Sequence, residues 1–224
     1  LMDYGVLMDR EPGFPMHMSA NEVNGIVLTH SHLDHSGAIP IFHIRNRIPV
    51  YTTSLTAELT RLLIADFIHL SGYYLPFEFL DLQTMMNSCI HLDFHVTQKV
   101  NDLTIQLVNS GHIPGGAQCL VEYNNRRLLY TSDFNTIATR LLEGAEDVGT
   151  VEDLIIEATY ADTDHADRST MEREFITRAN DIVEGGGTVL VPAFSVGRSQ
   201  EILCLLAAYH FEHNVTIDGM AEDA

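Results

Sequence analysis

Lysine is almost missing from this chain. Lys99 is the only one among 224 residues, and lysine and arginine together number 12 against 31 aspartates and glutamates, for a formal charge of −19. So large an acidic excess repels phosphate backbones and argues against a broad basic groove for nucleic acid. Bound divalent cations would reverse that sign locally, at one site. An acidic, lysine-poor surface also suits a salt-rich cytoplasm. No run of about eighteen apolar residues occurs, which excludes a membrane-spanning helix. No basic stretch leads into an apolar one at the start, as a secretory leader would require. Cysteine is scarce. Cys89, Cys119 and Cys204 are far apart in apolar surroundings and read as buried free thiols, not a disulfide framework. That predicts a reducing, cytoplasmic setting. Repeats and low-complexity tracts are absent.

The length suffices for one sizeable core, or for one domain and part of another. Hydrophobic content of 46% and charged content of 19% are ordinary for a folded domain. Both ends are expected to be cut, since Leu1–Gly5 opens as if inside a strand and Met220–Ala224 closes no element.

Gly25–Thr29 is apolar and β-branched and reads as a buried strand running straight into His30. A helix is expected over Ser36–Arg47 and a short strand at Val50–Thr52. Ser54 is a candidate cap for an amphipathic helix to about Leu70, with Leu55, Leu59, Leu62 and Leu63 on one face. From Phe94 to Thr131 the period changes to two. Asn124-Asn125 between Gln118–Tyr123 and Arg127–Thr131 reads as a hairpin turn. Leu154–Ile156 reads as another buried strand. Beyond it, helices over Thr170–Glu184 and Gly197–Tyr209 alternate with strands at Thr188–Val191 and Val215–Ile217, the pattern of a parallel α/β sheet.

The strongest chemical signal is His30-Ser31-His32-Leu33-Asp34-His35: three imidazoles and a carboxylate in six residues at the end of a strand. Imidazole nitrogen and carboxylate oxygen suit Zn²⁺. Alternate residues of an extended loop point the same way, so His30 and His32 can grip one ion while Asp34 and His35 project toward a second position. Such a site must be closed by residues from elsewhere in the chain. His112, in the glycine-rich Ser110–Gly116 loop, and Asp133, just past a strand, are the candidates. Taken alone, a solvated loop histidine and a turn aspartate would be the simpler explanation for each.

His30–His35 resembles the HxHxDH motif of the metallo-β-lactamase fold. Leu1–Gly5 resembles that fold's first motif, a strand ending in Asp-x-Gly. Ser110-Gly111-His112 resembles the third motif, and Tyr130–Phe134 the fourth. Ile155–Tyr160 is similar to the acidic motif of the β-CASP ribonucleases, and Val191–Glu201 to the strand–helix signature of their inserted domain. The resemblance is to nucleases like the archaeal cleavage and polyadenylation specificity factors. It implies an αββα sandwich over residues 1–162, with the start of an inserted β-CASP α/β domain over residues 163–224.

By the same resemblance, His30, His32 and His112 hold a first Zn²⁺, Asp34 and His35 a second, and Asp133 bridges the two. Asp3 orients a ligand histidine, and Asp34 and Glu157 act in catalysis. The partner implied is RNA, hydrolysed to a 3′-hydroxyl and a 5′-phosphate by an endonuclease, with the formation of RNA 3′ ends as a role open to it. A homodimer is open to such enzymes, and no membrane is involved. A 5′→3′ exonuclease, a small-molecule hydrolase of the same fold and a non-catalytic assembly subunit are the alternatives. In the family, the last zinc-ligand histidine and a catalytic histidine follow the inserted domain, beyond Ala224. His210 and His213 are not given those roles. His165 matches a histidine often seen after the acidic motif. Arg198 is expected to pair with Glu201 or a nearby acid.

Overall fold

In the computed structural model, which describes residues 1–8, 12–71 and 74–224, two β-sheets pack face to face. The first is parallel: β1 (Ile26–Val27), β2 (Val50–Thr52) and β3 (Cys89–His91), in that order. The second runs β4 (Thr97–Val100), β5 (Leu103–Asn109), β6 (Ala117–Tyr123), β7 (Arg126–Tyr130) and β8 (Asp153–Ile155). It is antiparallel up to β7, and β8 joins it parallel. Val27 and Tyr51 of the first sheet meet Ile105, Leu107, Ala117 and Cys119 of the second in one buried cluster. Helices α2 (Ser54–Leu70) and α3 (Phe79–Met86) cover the other face of the first sheet, where Ile64, Phe67, Leu82 and Met85 pack against Ile26, Leu28 and Val50. Helix, sheet and sheet stack in the order expected of an αββα sandwich.

Local chemistry explains where the elements differ from expectation. The segment 36–47 is not one helix. It splits into α1 (Leu33–Ser36) and a 3₁₀ turn over Ile39–His43, because Pro40 supplies no backbone N–H and Gly37 weakens the join. Helix α2 is capped by Thr53, not Ser54: the Thr53 Oγ1 accepts from the Thr56 N–H at 3.1 Å. Leu59 and Leu63 face inward, but Leu55 is exposed. The Asn124-Asn125 hairpin is as expected, with both residues at positive φ (49° and 60°) as a type I′ turn requires. Strand β8 is not buried. Leu154, Ile155 and Ile156 are each about half exposed, because β8 is the last strand of its sheet among the described residues.

In residues 163–224 the two expected helices form, as α4 (Arg168–Glu184) and α5 (Arg198–Ala208). Thr188–Val191 and Val215–Ile217 are not paired as strands, so the expected parallel sheet is not assembled there among the described residues. A strand exists only through its neighbours' hydrogen bonds, and among the described residues none pairs with these segments as a strand. Two carboxylates tie α4 and α5 to the loop that follows β7. Buried Glu201 accepts from the backbone N–H groups of Arg140 (3.0 Å) and Leu141 (2.8 Å), and Arg168 donates to it as well. Buried Glu172 receives Arg140 and Arg168, and Arg140 beside it holds its carboxyl below the ordinary range. Arg198 does not pair with Glu201, as the sequence suggested. It lies exposed, and Arg168 takes that place.

Candidate metal centre

Four segments distant in sequence meet at one end of the two sheets. The backbone around Asp3 runs beside β1, with the Asp3 N–H donating to Val27 O at 2.9 Å. It then crosses the His32–His35 turn: the Tyr4 N–H donates to His35 O (2.7 Å) and the Val6 N–H to Leu33 O (2.9 Å). Gly5 makes this crossing possible. A Cβ there would stand 1.8 Å from the Asp34 carbonyl oxygen, so no larger residue fits without moving one segment off the other. From the far side, the Ser110–Gly116 loop is held by Thr53 and Thr56, whose hydroxyls donate to Gly115 O at 2.9 and 2.8 Å. Gly111 and Gly115 sit at positive φ within it. The Asn135 N–H donates to Ser110 O at 2.9 Å and so joins the segment after Asp133 to the His112 loop.

These constraints bring His30, His32, His112 and Asp133 together, with one ligand atom from each lying within 4.8 Å of all the others. The His32 Nδ1 is 3.2 Å from the His112 Nε2. Asp133 faces both ways. Its Oδ2 lies 3.5 Å from the His112 Nε2 and 4.0 Å from the His30 Nε2, and its Oδ1 lies 3.4 Å from the His35 Nε2. The exposed Asp34 brings an Oδ2 to 3.9 Å from the same His35 nitrogen. All six residues singled out in the sequence are therefore in one cluster. Asp3 lies behind it: its Oδ2 accepts from the His35 Nδ1 (2.8 Å), the Tyr130 hydroxyl (3.0 Å) and the Thr29 hydroxyl (2.7 Å). Asp3 and Ser132 both adopt positive φ, at 48° and 52°. For side-chain-bearing residues this costs roughly 1–3 kcal/mol each and is retained where surrounding contacts over-determine the geometry.

Sequence reasoning missed Thr29 and Ser132; their place beside two motifs was the only signal. Their hydroxyls fix a proton order. A carboxylate only accepts, so the Thr29 Oγ1 donates to Asp3 and must accept from the Ser132 Oγ at 2.6 Å. Ser132, its hydrogen spent, accepts from the His30 Nδ1 at 3.3 Å. The His30 Nε2 is left as a bare lone pair pointing into the cluster. That nitrogen and the His32 Nε2 are buried with no hydrogen-bond partner among the described residues. Buried polar atoms are ordinarily paired. An orphaned imidazole lone pair beside two further imidazoles and a carboxylate fits a divalent cation of zinc's type. Replacing Thr29 with Val breaks the proton order, and we expect about a 10- to 100-fold loss of zinc affinity in a chelator-competition titration with the fold retained. Unchanged affinity would show that the order is incidental.

The electrostatics agree. Burial lowers the His30 and His32 pKa values and brings His112 down to about 4, with the neighbouring imidazoles adding to the effect. His35 moves the other way, to about 10: burial opposes the proton, but hydrogen bonds to Asp133 and Asp3 outweigh it. Asp133 is lowered chiefly by that same bond to His35. For stability, His112 contributes fully above its unfolded value of about 6.5, and the contribution is lost as pH falls toward 4. The shift corresponds to about 3 kcal/mol. His35 contributes below about 6.5 and loses its contribution as pH rises through about 10. Metal-free protein should therefore be most resistant to urea near pH 6.5 and weaken on both sides. A flat profile from pH 4 to 7 would contradict this.

Among the described residues, Glu157 makes no hydrogen bond or ion pair with the cluster. Its N–H reaches the Thr131 hydroxyl at 3.4 Å, two residues before Asp133, and its Oε2 accepts from the Thr159 N–H at 2.8 Å. His165 stacks edge-on against Tyr160 at 4.6 Å, and His213 lies against Phe211 at 5.1 Å. His43 is a core residue, its ring nitrogens facing Ile39 O and Ile48 O. None of these histidines joins the cluster.

A fold of two facing sheets with a histidine–aspartate cluster at one end defines a metallohydrolase class. The model of the metallo-beta-lactamase superfamily domain matches residues 8–160, and the chain belongs to that superfamily. RNase aCSPSF2 of Saccharolobus solfataricus is 36% identical over 228 residues, covering 100% of this chain and 46% of that protein. Probable RNase MJ4 of Methanocaldococcus jannaschii is 36% identical over 230 residues, covering 99% of this chain and 54% of that one. Transcription termination factor FttA of Methanothermobacter thermautotrophicus is 32% identical over 246 residues, covering 100% of this chain and 39% of that protein. The chain thus spans about half the length of the curated relatives it matches, or less. Among the described residues no helix is long and apolar enough to cross a membrane.

Proposed function

We propose that the protein is a two-zinc ribonuclease. The observation that carries the proposal is the two-sided placement of Asp133, with Oδ2 toward His30 and His112 and Oδ1 toward His35. His30, His32 and His112 would hold one Zn²⁺, Asp34 and His35 the other, and Asp133 would bridge. Zinc held there supplies a Lewis acid and a water whose proton is lost near neutral pH.

The chain's own residues prepare the rest. Asp3 fixes His35 through Nδ1 and leaves its Nε2 to face the cluster. Asp133 and Asp3 hold a proton on His35, which that residue would have to give up in order to hold a cation. Ser132 and Thr29 hold the His30 proton on Nδ1 and leave its Nε2 free to hold a cation. Asp34, exposed at the rim, is reachable from solvent and belongs with the attacking water. Glu157, tied beside Thr131, would orient the group that protonates the leaving oxygen. RNA as substrate is supported by the relatives, which are named RNases and a termination factor. Residues 1–162 would form the catalytic domain, and residues 163–224 part of the second.

The test uses the full-length protein with linear and circular RNA. We expect cleavage of both, lost on chelation and restored by zinc. Intact circles beside degraded linear RNA would favour a 5′→3′ exonuclease. No cleavage of either by zinc-loaded protein would remove the ribonuclease reading.

A further inference from the structure

Phe194 is 78% exposed, yet its ring lies 6.2 Å from the ring of His32. Among the described residues it is the one aromatic side chain, histidines aside, in ring contact with the metal cluster. Other apolar side chains in this part of the chain are exposed too. What sets Phe194 apart is that the backbone presenting it is locked. The Phe194 carbonyl accepts from the Ser199 N–H (3.2 Å) and the Ser199 hydroxyl (2.6 Å). Gln200 closes the turn from both sides: its Nε2 donates to Ser195 O at 2.9 Å and its Oε1 accepts from the Gly197 N–H at 2.7 Å. Val196 is 3% exposed and packs with Leu59, Leu63 and Ile113, the residue next to His112. Gly197 sits at φ 84°, where a Cβ would lie 2.7 Å from the Ile113 Cγ2. The turn is thus anchored to the His112 loop while the ring it carries stays in solvent.

The charge of the chain says what such a ring is for. With a formal charge of −19 and a single lysine, this chain offers few cations to a phosphate backbone. What this chain can add to the binding of a single strand is therefore a surface for base faces, and every base has a π-face that stacks on phenylalanine. We infer that Phe194 is the stacking platform for a nucleobase of the RNA strand beside the scissile phosphate, a substrate-positioning residue of the same site. The inference rests on the ribonuclease reading above. It also accounts for the rigid turn, since a stacking face is useful only if held at a fixed distance from the reacting phosphate.

The experiment uses full-length, zinc-loaded protein and RNA oligonucleotides carrying 2-aminopurine at single positions around the cleavage site. For Phe194→Ala we expect KM to rise about 5- to 100-fold, with kcat within about threefold of wild type. Phe194→Tyr, which keeps the ring face, should restore KM, and Phe194→Leu should not. One 2-aminopurine position should be quenched on binding to wild type and not on binding to Phe194→Ala. The inference is overturned by unchanged KM in Phe194→Ala, by full rescue with Leu, or by loss of zinc from Phe194→Ala, which would make the ring a shield for His32. Wild-type protein that cuts no RNA would instead bring down the ribonuclease reading, and this inference with it.

Discussion

Replacing Asp133 with Ala in the full-length protein is expected to remove zinc from both positions and to lower RNA cleavage by about 10³-fold or more. Among the described residues Asp133 is the one carboxylate whose oxygens reach three histidines of the cluster, at 3.4 Å from His35, 3.5 Å from His112 and 4.0 Å from His30. Burial lowers the proton affinity of His30, His32 and His112, which leaves neutral nitrogens around this one anion. Asp133→Asn separates charge from shape. It keeps the side chain's size, so the fold should hold while zinc binding still fails. Asp34→Ala is the contrasting case. Asp34 is exposed and touches only His35 within the cluster, so its loss should empty the second position and leave the first. Zinc content, measured on each purified variant, checks all three. An Asp133→Ala protein that keeps both ions and cuts RNA at the wild-type rate would defeat the assignment.

The second large effect is expected away from the ligands. Gly5→Ala places a methyl group 1.8 Å from the Asp34 carbonyl oxygen and 2.4 Å from the His35 nitrogen. Both atoms are backbone in a turn fixed by its own hydrogen bonds, so no side chain can swing aside. Relief requires the Asp3–Val6 segment to lift away. That breaks the Tyr4–His35 and Val6–Leu33 bonds and withdraws Asp3 from His35, Thr29 and Tyr130. A clash of this kind in packed structure costs about 3 kcal/mol or more, which in a chain of this size lowers Tm by roughly 6–12 °C. Zinc affinity should fall with it, because the orientation of His35 is lost. A Gly5→Ala variant that melts within about 2 °C of wild type and keeps its zinc would show that the crossing is looser than drawn.

The cluster was legible because its chemistry is local at both ends of the argument. His30–His35 is dense in ligand types, and His112 and Asp133 each stand at the end of an alternating apolar segment. Strands end at the rim of a sheet, so the sequence pattern already carried them to one side of the fold. Thr29 and Ser132 were not legible, because a hydroxyl serves a histidine only through an orientation that no spacing reveals. Gly5 could be matched to a motif, but its reason, backbone lying directly on backbone, exists only in three dimensions. The helix expected over Ser36–Arg47 failed at Pro40, where a single missing donor outweighed the apolar pattern. Thr188–Val191 and Val215–Ile217 show the opposite limit. Their apolar, β-branched character is that of strands, but pairing is a property of neighbours, and none pairs with them among the described residues. Glu201 was read as the partner of a residue three positions away. It turned instead to Arg168 and to the backbone at Arg140 and Leu141, because burial brought those donors nearer.

Residues spread from Asp3 to Asp133 are proposed to form one centre for a pair of zinc ions. It is tested most directly by counting metal in the full-length protein by mass spectrometry after exhaustive dialysis. We predict two zinc ions per chain in the wild type and fewer than one in Asp133→Ala. Wild-type protein that cleaves RNA while holding no metal would contradict the account.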